Sequence, residues 1–191
     1  MNLNQRIEQE FAEHIAIAKT CINLSEKINT AATHCASSLE KGGKVIFCGN
    51  GGSAGDSQHL AAELIGRLKK NRRALAAISL TVDSSALTCI GNDFGFDYIF
   101  SRQLEGLAKE GDVLIAISTS GMSPNIINAV KTSNALGIKS VGLLGKNGGD
   151  VKSICSLPLI IPSQETGRIQ EMHILIGHIL CGIIENILGV E

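Results

Sequence analysis

Four groups of residues combine side chains that could do chemistry at a spacing that would let them do it. The first is Cys48-Gly49-Asn50-Gly51-Gly52-Ser53-Ala54-Gly55-Asp56, with four glycines between positions 49 and 55. It follows a short β-branched run and precedes a helical segment, which is where an open parallel sheet binds ligands. Glycines let the backbone approach an anion, and a helix N-terminus adds unpaired N–H groups and a favourable dipole. The spacing is neither the GxGxxG of dinucleotide sites nor the GxxxxGK[ST] of phosphate loops, since no Lys follows. The plainer alternative is a Gly-rich turn ahead of a capped helix.

The second group, Ser118-Thr119-Ser120-Gly121-Met122-Ser123, also closes an apolar run, with Pro124 in the first helical turn. Four hydroxyls around a glycine make a nest for a phosphate, with hydroxyl and backbone donors and no fixed positive charge. Ser123 could equally be an ordinary N-cap and the others loop polars.

The third group is His59 and Glu63, four apart and therefore on one helix face. They could supply two ligands to a divalent metal, or a base with its orienting partner, or only a surface pair. The fourth is Arg168-Ile169-Gln170-Glu171-Met172-His173-Ile174 with His178 beyond it. Gln170, Glu171, His173 and His178 interrupt an otherwise apolar helix, and burying them without partners would be costly. Asn92-Asp93, between Gly91 and Phe94-Gly95, reads as an Asx turn or as a contact for sugar hydroxyls.

The elements that must position these groups alternate. Residues 3–27 and 28–40 repeat apolar positions every three or four residues and read as helices. Continuous apolar runs at 44–48, 76–80, 112–117, 140–144 and 157–161 read as strands covered on both faces. Helical segments fall between them at 56–69, 84–90, 98–109 and 123–136, and a last helix spans 166–188. This alternation predicts an α/β fold, a doubly wound parallel five-stranded sheet flanked by helices. The expected organisation is one domain over 1–191, with N-terminal helices at 1–40, the α/β core at 41–165 and the C-terminal helix at 166–191. That last helix is apolar nearly all round, which in so short a chain implies cover from a partner subunit.

Composition narrows the function. The chain has 191 residues, 17 Lys+Arg against 18 Asp+Glu, a net charge of −1 and 3% aromatic residues. This argues against a nucleic-acid binder that works by neutralising phosphates or stacking bases. Six cysteines without a CxxC pair fit a reducing compartment better than a disulfide framework. No signal-peptide pattern opens the chain, and no apolar stretch reaches a spanning length, so a cytoplasmic protein without membrane contact is expected.

With these residues in hand, the chain resembles the sugar isomerase (SIS) domain family, in its phosphoheptose isomerase branch. The resemblance covers essentially the whole chain. It is carried by CGNGGSAGDSQHLAAELIGR (48–67), GNDFGFDYIFSRQ (91–103), GDVLIAISTSGMS (111–123) and RIQEMHILIGH (168–178). The 118–123 loop alone points only to the wider family. The combination of His59, Glu63, Gln170 and His178 is far more specific to the branch. The resemblance implies a homotetramer with active sites between subunits and one Zn2+ per subunit, held by His59, Glu63, Gln170 and His178. It implies substrate contacts from Asn50, Gly51, Gly52, Ser53, Glu63, Asn92, Asp93, Ser118, Thr119, Ser120, Ser123 and Gln170.

The implied reaction converts D-sedoheptulose 7-phosphate to D-glycero-D-manno-heptose 7-phosphate through an enediol, with Glu63 as base and His178 as partner acid. It would be the first step toward ADP-heptose for lipopolysaccharide core or capsule. Two rivals share the fold: a non-catalytic SIS-domain protein that binds the replication initiator, and an isomerase or sensor for another sugar phosphate. The first lacks counterparts of Glu63 and His178, and nothing before residue 40 resembles the DNA-binding extension of a sensor. Gln170 and His178 lie roughly 12 Å apart along a straight helix at 1.5 Å per residue, so their meeting at one metal needs convergent side chains, a bend, or a second subunit.

Overall fold

The computed structural model describes residues 2–190; Met1 and Glu191, the ends of the expected 1–191 unit, lie outside it. Two helices come first, α1 (Leu3–Cys21) and α2 (Ser25–Glu40), separated by a 3-10 turn at Ile22–Leu24. The expected break after residue 27 therefore falls a turn earlier. A reciprocal capping box opens α1: Asn2 Oδ1 accepts from Gln5 N–H, and Gln5 Oε1 accepts from Asn2 N–H, both at 2.9 Å.

Five strands follow, β1 (Val45–Gly49), β2 (Ala77–Ser79), β3 (Val113–Ser118), β4 (Lys139–Gly145) and β5 (Leu157–Ile161). All pair in parallel, in the order β2-β1-β3-β4-β5. Successive strand residues point to opposite faces. Val45, Phe47, Val113, Ile115 and Ile117 therefore join the core that includes residues of α2 and α8 (Thr166–Ile187). Ile46, Cys48, Leu114 and Ala116 join the core built with α5 (Ser101–Leu107) and α6 (Pro124–Ala135). The expected doubly wound sheet is what forms. Among the described residues no helix is long and apolar enough to cross a membrane.

The remaining helices are α3 (Gly52–Ile65), α4 (Ser84–Asp93) and α7 (Val151–Ile154). Three sequence expectations shift. The helix expected over 56–69 starts and ends four residues sooner. Gly51, at φ +56°, turns the chain straight off β1, and Gly66 closes the far end by donating to the Ala62 carbonyl. Asn92 and Asp93 sit in the last turn of α4 and not in an Asx turn. The segment expected as a helix over 98–109 is α5 preceded by a 3-10 turn at Phe96–Tyr98, and α7 had no counterpart.

The apolar faces of the terminal helices are only half covered. On α1, Ile7, Phe11 and Ile15 are exposed, as are Leu175, Ile179 and Ile187 on α8.

Candidate active site

The strand order reverses direction between β1 and β3, and both ligand-type loops leave the sheet at that point. Most of the glycine loop is the first turn of α3, with Ser53 N–H donating to the Asn50 carbonyl. Asn50 exchanges two side-chain hydrogen bonds with Asn125 in the first turn of α6, at 2.8 and 2.9 Å, tying the β1 loop to the β3 loop. Asn125 is buried, and nothing in its sequence context signalled this role.

In the 118–123 loop, Ser118 Oγ accepts from Gly121 N–H and Ser120 Oγ from Met122 N–H. Gly121 adopts φ +66°, and a Cβ there would lie 2.0 Å from the Gly148 carbonyl oxygen, so only glycine fits. Ser123 occupies the N-cap position of α6, yet its side chain makes no capping bond.

The third and fourth groups meet because α3 and α8 pack side by side. Their contacts advance together: Asp56 with Gln170, Leu60 with Gly177, His59 with His178, Leu68 with Glu185. The helices thus run parallel. At Gly177 the approach is so close that a Cβ would fall 2.5 Å from Leu60 Cδ1. His59 Nε2 faces His178 Nε2 at 2.9 Å, and Glu63 Oε1 lies 3.3 Å from the same His59 nitrogen. One ligand atom from each residue lies within 4.8 Å of the others. Two imidazole nitrogens and a carboxylate oxygen converging on one point are a donor set that suits zinc and leaves a position open. The residues present therefore fit such an ion.

Gln170 lies two turns before His178 on α8, near Gly52, and its Nε2 donates to Asp56 Oδ1 at 2.7 Å. An amide that gives its NH2 to a carboxylate keeps its oxygen for another partner. Burial pushes the Asp56 carboxyl up; the Gln170 hydrogen bond and the nearby His59 and His178 pull the other way without cancelling the shift. Its second oxygen, Oδ2, is buried with no partner. The sequence placed Asp56 only at the end of the glycine-rich group and gave it no role, although 56, 59 and 63 share a face of the helix expected over 56–69.

The other polar residues of α8 also find their places. Glu171 accepts from His14 at 2.8 Å and from Arg168, which in turn binds Glu10. Burial pushes Glu171 up, but these two hydrogen bonds outweigh it and hold its carboxyl below the ordinary range. His173 is fully buried with neither ring nitrogen in hydrogen-bond geometry, and desolvation drives its pKa down to about 4 against a smaller upward pull from the Leu144 backbone. Asn92 and Asp93 remain apart: they are exposed, and their side-chain bonds run to one another and to Cys89. A cleft of about 720 Å3 opens beside His178, bordered by Lys69, Lys70, Ile179, Gly182 and Asn186.

A doubly wound sheet with a hydroxyl-rich loop at its switch point and a His–Glu–His cluster defines an α/β protein with a candidate metal site, and comparisons make the class specific. The SIS domain family model matches residues 10–145. A phosphoheptose isomerase of a Nitratiruptor species is 53% identical over 183 residues, covering 95% of this chain and 98% of the relative. One from Campylobacter jejuni serotype O:6 is 54% identical over 180 residues, 94% and 97% of the two chains. The solved phosphoheptose isomerase of Neisseria gonorrhoeae superposes with a TM-score of 0.92 at 42% identity, covering 97% of this chain and all of the other. That of Francisella tularensis gives 0.94 at 37% identity with the same coverage. The chain belongs to the SIS domain family and, within it, to the phosphoheptose isomerases, a class of aldose–ketose isomerase.

Proposed function

We propose that the chain interconverts D-sedoheptulose 7-phosphate and D-glycero-D-manno-heptose 7-phosphate at the junction of β1, β3, α3 and α8. The observation that carries this reading is the convergence of His59, Glu63 and His178 where α3 packs on α8. Ser118, Thr119, Ser120 and Ser123 hold the phosphate, with Asn50, Gly51, Gly52 and Ser53 along the opposite loop. His59, Glu63 and His178 would hold one zinc ion, and Gln170, whose nitrogen is given to Asp56, would add its amide oxygen as the further ligand. When bound, the ion supplies a Lewis acid at the C2 carbonyl oxygen of the open-chain ketose.

The carboxylate of Glu63 takes the proton from C1, leaving a cis-enediol, and returns it to C2. His178 moves the hydroxyl proton from O1 to O2, so the aldose forms with no atom gained or lost. Gln170 would also contact the sugar.

The working unit is a homotetramer whose subunits cover the exposed faces of α1 and α8 and complete each other's sites. Asn92 and Asp93, exposed and unconnected to the cluster within one chain, are then contributions to a neighbour. The product serves ADP-heptose assembly for lipopolysaccharide core or capsule in the cytoplasm.

The test is turnover of D-sedoheptulose 7-phosphate by the purified protein, its loss with a chelator, and its return with added zinc. Absence of turnover with zinc present, or full turnover after complete metal removal, would overturn the corresponding part of the reading.

A further inference from the structure

Arg72 stands outside the candidate site, on the loop leading from α3 back to β2, and its side chain is only 2% exposed. Its guanidinium is spent inside the protein. Nε donates to Glu185 Oε1 at 2.7 Å, and Nη2 donates to the carbonyl of Glu63 at 2.7 Å. Nη1 donates to the Leu64 carbonyl at 2.8 Å and also meets the carbonyls of Arg73 and Gly66. Glu63 and Leu64 lie in the last turn of α3, where a helix leaves carbonyls without intrahelical donors. A cation there also meets the negative end of the helix dipole. Glu185 is two turns beyond His178 on α8; its side chain is 3% exposed, and it also accepts from Leu68 N–H at 3.3 Å.

Stability alone is a poor reason for this arrangement. Desolvating two charges offsets most of their attraction, and a well-packed apolar pair can do as well. What the pair supplies is placement. A planar fork that must meet backbone carbonyls on one helix and a carboxylate on another admits one depth and one rotation of α3 against α8. Those two helices carry the cluster: His59 and Glu63 on α3, His178 on α8. The same guanidinium grips the backbone of Glu63 itself.

We infer that Arg72 and Glu185 are positioning residues for the His59–Glu63–His178 group, setting the register of α3 against α8 so that one carboxylate and two imidazoles meet at a single divalent cation. Their role begins where direct ligation ends, and it rests on reading the cluster as a metal site. Gly177 fixes how close the helices come; Arg72 and Glu185 fix how far one is slid along the other.

Zinc affinity of the whole chain is measured by competition with a chromophoric chelator, beside kcat, KM and the melting temperature of the metal-free protein. The variants are Arg72→Met, Glu185→Gln and the double replacement of both residues by Met. Each single variant is expected to weaken zinc binding and to lower kcat by about 10- to 100-fold, as for outer partners of metal ligands. KM for the ketose phosphate should change little, because other elements carry the 118–123 loop. The double variant should regain melting temperature, since no charge is left buried alone, without regaining zinc affinity.

A folded single variant with wild-type zinc affinity and kcat overturns the inference. So does a double variant that recovers zinc affinity together with stability. If Arg72→Met fails to fold, Glu185→Gln, which keeps an acceptor and loses only the charge, decides by the same two outcomes. A wild-type chain that takes up no zinc brings down the metal reading and the inference with it. Zinc uptake by the wild type with unchanged uptake by the variants brings down the inference alone.

Discussion

His59 Nε2 and His178 Nε2 face each other across 2.9 Å, although 119 residues separate them in the chain. At that distance one nitrogen must carry a proton and the other accept it, unless a cation takes the proton's place. Glu63 Oε1, 3.3 Å from the same His59 nitrogen, supplies the negative charge that would favour such a cation.

Glu63→Gln keeps the size of the side chain and removes its basicity. Turnover of D-sedoheptulose 7-phosphate should fall by about 100-fold or more, the usual share of a general base. Steady-state kinetics at saturating zinc checks this. Full turnover in the variant would remove Glu63 from the base role.

Ser123→Ala separates two uses of one hydroxyl. A working N-cap would cost about 1 kcal/mol on removal, but this side chain makes no capping bond. Stability should therefore change by less than about 0.5 kcal/mol. KM should rise by about 10-fold or more, as for a lost hydrogen bond to a charged group. A destabilised variant with unchanged KM would return Ser123 to the capping role.

Gly177→Ala places a methyl group 2.5 Å from Leu60 Cδ1 and 2.6 Å from Cδ2, and Leu60 is fully buried. Overpacking costs about 1–3 kcal/mol, while alanine's helix propensity returns about 1 kcal/mol. The net result should be a destabilised protein in which α3 and α8 are pushed apart, with weaker zinc binding. Denaturant unfolding and metal titration read the two effects separately.

His173 gives a signed pH dependence. Its folded pKa, about 4, lies below the unfolded value of about 6.5. The unfolded chain binds the proton more readily, so the contribution to stability is full above pH 6.5 and is lost as pH falls toward 4. The loss should reach about 3 kcal/mol at pH 4 relative to a His173→Leu variant, whose curve lacks this component. Coincident pH profiles of the two proteins would show that His173 keeps an ordinary pKa when folded.

The half-covered helices give the last prediction. Phe11→Glu puts a charge in the middle of the exposed α1 stripe of Ile7, Phe11 and Ile15. Light scattering should report a smaller assembly than the wild type, with far-UV circular dichroism preserved. A wild-type protein that is itself monomeric would refute the tetramer.

Much of this was legible beforehand, for local reasons. The five apolar runs and the helical rhythms between them set an all-parallel sheet, because period and burial are properties of neighbouring residues. The loop residues at 49–55 and 118–123 were recognisable from type and order, and His59 with Glu63 from a four-residue step. Boundaries slipped where a backbone choice decided them, as at Gly51, whose positive φ starts α3 four residues early. The polar residues of α8 could be singled out as costly to bury, but not assigned.

Their assignment needed the packing of α3 on α8. That contact puts His178 opposite His59 and gives Gln170 to Asp56, while the packing of α1 on α8 gives Glu171 to His14. Arg72 and Glu185 were invisible for the same reason: an ion pair spanning 113 residues has no local signature in charge or spacing. Residue order was enough to say which elements form and which side chains could do chemistry, since both follow from neighbours along the chain. Which of those side chains meet was settled in three dimensions, where α3 and α8 approach closely at Gly177 and are joined through Arg72 and Glu185.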